Sequence, residues 1–195
     1  MTEKRISAIH ILPLAADGYP TVQQGISLAN TLLGNDFFYR SIAALPYFEG
    51  SDILPFRLSE LMRTTKIRMR VALYSALDPH AAIDTYDDPI DPSRIPLNLW
   101  NAGRTAGSIC NSLVHACVHA VNSWHAQYRF GHAHIPKGRL FHTAPYRIGA
   151  LAEELTGYFP SVLPQYHHDP EPPVYAMGGD TDVLSAFAQS MWCIS

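Results

Sequence analysis

Ten of the 195 residues are histidine, and His115, His119, His125, His132, His134 and His142 crowd into one stretch. Imidazole titrates near neutrality and is the commonest protein metal ligand, so this crowding needs a chemical explanation. His115 and His119 lie four apart in LVHACVH, a segment that reads as helix. That spacing puts both rings on one helix face, a turn apart, where two nitrogens reach one ion. The pair alone is weak evidence, because single histidines more often sit in cores or on surfaces, bonded to backbone or water. A third ligand has three candidates. His132 follows Gly131, whose backbone freedom lets a loop bend back towards the helix. Glu153 or Glu154 would complete a set of two histidines and one carboxylate, although a solvated helix face explains them equally simply. His125 extends the run to HACVHAVNSWH, with Asn122, which tolerates a left-handed turn, between the ligands. A helix running on through Trp124 would aim His125 away from the ion. His132 is preferred, then the glutamates, then His125.

The residue after the first histidine matters most for reactivity. In zinc peptidases of the HExxH kind it is a glutamate, which acts as base for the attacking water. Here position 116 is alanine. The spacing to His125 also fits the metzincin pattern HExxHxxGxxH, with Met177 in YAMGGD as a weak Met-turn match.

Three ordered motifs narrow the choice: HACVH at 115–119, FGHA at 130–133 and TAPYRIG at 143–149. YDDPIDPSRIPLN at 86–98 precedes them. Over roughly residues 84–155 this arrangement resembles a family of small bacterial zinc metallopeptidase domains, some of them toxin or type VI secretion effector modules. The family pattern is HExxH, FGHG and TAPYWIG. The departures are Ala116 for glutamate, Ala133 for glycine, His134 where Asn or Asp is commoner, and Arg147 for tryptophan. The resemblance implies a zincin-like α+β fold and a zinc cofactor on His115, His119 and His132. It also implies a polypeptide substrate, with an immunity protein or a component of secretion machinery as further partners. Tyr146, in TAPYRIG, would donate a hydrogen bond to the developing oxyanion. A buried tyrosine with a satisfied hydroxyl is the plain alternative, and His142 is a second candidate for the donor.

Zinc needs only its ligands, so Ala116 leaves metal binding possible. Losing a general base, however, typically lowers rates by about 10²–10⁴-fold. Deliberate inactivation of a toxin that would kill its host cell fits the alanine. A natural pseudoenzyme that binds zinc or a peptide fits it too. The otherwise intact motifs favour the first. A rival of another class is a zinc-stabilised binding module with a closed site, its fourth ligand His134 or His142. A cysteine hydrolase using Cys117 is a further rival, set back because Cys117 lies on an apolar helix stripe.

The elements that must position these residues read as mixed α and β, with helices dominating the C-terminal half and a small sheet. Ile67–Tyr74 (IRMRVALY) alternates apolar and basic residues and is the best strand signal. Thr105 to Trp124 is the main helix, with an apolar stripe of Ile109, Leu113, Cys117, Ala120, Val121 and Trp124. Residues 20–45 have helical spacing broken at Gly34–Asn35. Ser59–Thr65 reads as a short helix, Ile148–Phe159 as another and Asp182–Trp192 as a closing one. Residues 78–96 and 131–143 read as loops, and 160–180 is rich in proline and glycine.

Composition bounds the rest. Apolar residues at 47% and charged residues at 16% suit one domain over residues 1–195 with a real core, its motif-bearing part at about 84–160. A net charge of −3 without long charged blocks offers no footprint for nucleic acid. Cys110, Cys117 and Cys193 read as reduced thiols, since Cys110 and Cys117 on one helix are too far apart to pair. No run reaches the length of a membrane span, and the N-terminal apolar run, broken by Pro13 and Asp17, does not read as a signal peptide. Synthesis in the cytoplasm, with delivery by a signal-independent route left open, is the expectation.

Overall fold

The computed structural model describes residues 8–14, 18–75, 91–98, 104–132 and 135–157. The alternating segment Ile67–Tyr74 forms β2, with Ile67 and Met69 buried and Arg68 and Arg70 exposed. Ile9–Leu12 (β1) and Arg94–Asn98 (β3) pair with it on either side, both parallel, in the order β1-β2-β3. The register sets Ile9 opposite Ile67 and Arg70 opposite Arg94. Sequence reading had no strand at β1 and placed most of β3 within a proline-rich loop. Among the described residues β3 is an edge strand, where Pro96 is tolerated because a missing N–H can face away from the ladder.

The other edge is closed by the helix that follows β1. Pro20–Leu33 (α1) carries Asn30, whose side chain accepts from Ile11 N at 2.9 Å and donates to Ile11 O at 2.8 Å. Gln23 repeats the same two-way pairing with Leu14, at 3.3 Å in each direction. Two amide side chains thus occupy backbone groups that a neighbouring strand would otherwise use.

Helix α1 ends at Gly34, and Asp36–Ala43 (α2) begins at once, capped by the Asn35 side chain accepting from Phe37 N. The break foreseen at Gly34–Asn35 is therefore present. Pro55–Thr64 (α3) begins at Pro55 rather than Ser59, because proline suits a helix's first turn, where its absent N–H has no partner to lose. Ala106–Trp124 (α4) follows, its Thr105 cap accepting from Ser108 N. Residues Lys137–His142, read from sequence as loop, form a 3-10 helix. Ala144–Thr156 (α5) starts at Ala144 rather than Ile148, again with a proline, Pro145, in the first turn. TAPYRIG is thus the opening of a helix.

Helix α4 is the centre of the helical part, packed between α5 and α1. Its stripe of Ile109, Leu113, Cys117, Ala120 and Val121 is buried, whereas Trp124, in the last turn, is 63% exposed. Glycines permit both close approaches. A Cβ on Gly25 of α1 would lie 2.6 Å from Ile109 Cγ2, and one on Gly149 of α5 would collide with the Asn111 side chain. Cys110 and Cys117 are buried free thiols, and burial pushes Cys117 up to about 12, which suits core packing and not nucleophilic chemistry. Among the described residues, no helix is long and apolar enough to cross a membrane. The closing helix expected at 182–192, with Cys193 and Met177, lies outside the described residues.

Candidate metal centre

Helix α4 holds His115 and His119 on one face, as their spacing requires. The chain leaves the helix at His125 and returns, so that His132 meets the same face. The three Nε2 atoms form a small triangle: His119 to His132 at 2.9 Å, His119 to His115 at 3.2 Å and His132 to His115 at 3.4 Å. Among the described residues, these three are the group of histidine, cysteine or carboxylate side chains able to hold one ion.

The triangle itself tests the fit of a metal. A ring nitrogen carries either a proton or a lone pair in the ring plane, never both. Three nitrogens that all face one another can therefore make at most two hydrogen bonds, and the third contact is left without one. A cation facing three lone pairs satisfies all of them. Tetrahedral zinc, with bonds of about 2.0–2.1 Å, separates its nitrogen ligands by roughly 3.3–3.4 Å, close to the spacing present. Protonation states agree. Burial, followed by the neighbouring His119 and His132, holds His115 well below the ordinary 6.5, and burial lowers His119 to about 4. Neutral imidazole is the form that binds metal.

Tyr146, in the first turn of α5, closes one side. Its ring meets His115 edge-on, with centroids 4.7 Å apart, and lies 5.2 Å from His132. Phe141 backs it at 5.6 Å. Ala116 is partly buried and packs against the core beside His115.

The segment that delivers His132 is held at several points. Asn122 of α4 bonds to Tyr128 O, Phe130 N and Gly131 N. Asp52 accepts from Arg129 N at 2.8 Å, and Asp52 N donates to Arg129 O at 3.0 Å. Phe130 is fully buried.

The other sequence candidates sit elsewhere. His125 caps α4, and its Nε2 lies 2.8 Å from Thr65 Oγ1, beyond the end of α3. Helix α4 does run through Trp124, so the ring is aimed away from His115 and His119. Glu153 accepts from Asn111 Nδ2 at 2.9 Å, burial raises its carboxyl, and it is no member of the histidine group. Glu154 is exposed, on the next position of the same helix. His142 ends the 3-10 helix, where its carbonyl accepts from Glu49 N, and it too stays outside the group. Ala133 and His134 lie outside the described residues. Sequence reading missed the Asn111–Glu153 pair and the clasp made by Asn122; the only available signal for either was a polar residue on a ligand-bearing helix.

Comparison of the chain with known protein families, curated proteins and solved structures finds no match.

Proposed function

We propose that this chain is a zinc-dependent metallopeptidase domain, of the zincin-like kind found among antibacterial effectors, lacking its general base at position 116. The convergence of His115, His119 and His132 Nε2 atoms within 3.4 Å of one another carries this reading. A zinc ion held there would polarise a peptide carbonyl and the water that attacks it. The chain's own residues supply the rest. Imidazoles bind metal in their neutral form and would leave the ion its full charge. Tyr146, whose ring lies beside those of His115, His132 and Phe141, would be the phenol that donates to the carbonyl oxygen as charge develops. Ala116 follows the first ligand, where a carboxylate would take the proton from water, and its methyl group can take none. The chain as it stands is accordingly expected to bind zinc and to turn over little or no peptide.

Reversion tests this directly. Ala116→Glu should keep the zinc content and raise proteolysis of a denatured protein substrate by about 10²–10⁴-fold. Toxicity towards bacteria expressing it should rise in parallel. The same alanine supports a second reading, a pseudoenzyme that uses zinc to bind peptide. A revertant that loads one zinc yet stays inert would select that reading, and absence of zinc from the parent chain would remove both.

A further inference from the structure

One residue of α4 has a role that neither ligation nor catalysis accounts for. Asn122 lies three residues beyond His119, on the face that carries the two helix ligands, and every polar atom of its side chain is engaged with one short segment. Its Nδ2 donates to Tyr128 O at 2.8 Å. Its Oδ1 accepts from Phe130 N at 3.1 Å and from Gly131 N at 2.7 Å. These partners fix the amide orientation, since two N–H groups require an oxygen and a carbonyl requires a nitrogen. The segment it grips ends at Gly131, and the next residue is His132.

We infer that Asn122 is the positioning residue for the third metal ligand, an amide clasp through which α4 orients a histidine it does not carry. The inference rests on the zinc reading above. Helix α4 thus supplies two ligands directly and the third by proxy, so all three share one rigid reference. Gly131 is part of the device. A Cβ there would sit 3.3 Å from Asn122 Oδ1, tight enough to press on the clasp, and 3.7 Å from His119 Nδ1, an ordinary contact. Phe130, fully buried, anchors the strap beside the clasp, and His132 O accepts from Ile135 N at 3.0 Å on its far side. Outer partners of this kind typically alter metal affinity by about 10–100-fold.

The test combines metal titration with hydrogen exchange. Zinc affinity of Asn122→Ala should fall by about 10–100-fold, and the visible spectrum of its cobalt form should lose the intensity of a fixed tetrahedral site. In a His132→Ala background the same substitution should change affinity no further, because the clasp acts only through that ligand. A purely structural residue would weaken both backgrounds alike, and that result would overturn the inference. In metal-free protein, Asn122→Ala should speed amide exchange at Phe130 and Gly131 selectively, leaving the rest of α4 protected; unchanged exchange there would also overturn it. Asn122→Asp keeps the acceptor for both N–H groups while losing the donor to Tyr128. It should retain protection at those amides even if the alanine variant fails to fold. A parent chain that takes up no zinc or cobalt would sink the metallopeptidase reading, whereas the exchange result judges the clasp alone.

Discussion

His132 Nε2 lies 2.9 Å from His119 Nε2, although they are thirteen positions apart with the end of a helix between them. Neither element could form this contact alone. Helix α4 provides a flat face with two imidazoles, and the strap from Tyr128 to Gly131 turns the third towards it. If the triangle is a metal site, His132→Ala should lower zinc affinity by more than about 100-fold, exceeding the loss of an outer partner. His125→Ala and Glu153→Gln should leave zinc content unchanged, because neither side chain reaches the group. Metal content after dialysis against a weak chelator measures all three, and zinc retained without His132 would refute the assignment.

Acid should weaken the metal-free protein before it weakens an ordinary fold. His115 and His119 are held below their usual value in the folded chain and return to it on unfolding. As pH falls below about 6.5, the unfolded state takes up protons that the folded state refuses, so stability declines until His119 titrates near 4. Each such histidine contributes at most about 1.4 kcal/mol per pH unit. Glu153 works in the opposite sense: its raised carboxyl adds stability at low pH that is lost as pH rises. Urea unfolding across this range in the Glu153→Gln background isolates the histidine slope. A flat profile there would mean that His115 and His119 are not held neutral by the fold.

The α4–α5 interface should reject even one methyl group. Gly149→Ala brings a Cβ into the Asn111 side chain and within 3.1 Å of Asn111 O, backbone that cannot swing aside. Alanine gains up to about 1 kcal/mol in helix propensity, but overpacking of this kind typically costs about 1–3 kcal/mol. The steric cost should win, with a lower urea midpoint and a looser hold of Asn111 on Glu153. Gly138→Ala, with nothing within 4 Å of its Cβ, is the matched control and should be close to neutral.

Opening the edge of the sheet should change how the protein associates. Asn30→Leu removes both bonds to Ile11, leaving a donor and an acceptor unpaired beside a fully buried residue. Such a loss costs about 1–3 kcal/mol per orphaned group. Thermal unfolding should report it, and size-exclusion chromatography should show concentration-dependent oligomers as β1 becomes available for pairing. A variant as stable and monodisperse as the parent would show that the amide pairing contributes nothing.

Local pattern made some of this legible. The alternation of Ile67–Tyr74 specified β2, and the spacing of His115 and His119 placed two nitrogens together, because strand and helix periods follow from the backbone alone. The Gly34–Asn35 break likewise marked a helix end through its own chemistry. His132 was favoured over Glu153, Glu154 and His125 because a glycine precedes it in a recurring motif. The tertiary structure brings it, and neither His125 nor Glu153, to the other two histidines. Whether a histidine past a helix end swings back to the metal face or off to Thr65 depends on the path of the intervening chain. That path is set by Asn122, Asp52 and buried Phe130 acting across distance. Strand β1 was hidden for a similar reason: four residues carry no period of their own, and they become a strand because β2 lies beside them and Asn30 closes the other side. Sequence by itself determined which residues could do chemistry. Long-range contacts, invisible to any local period, decided which of them meet.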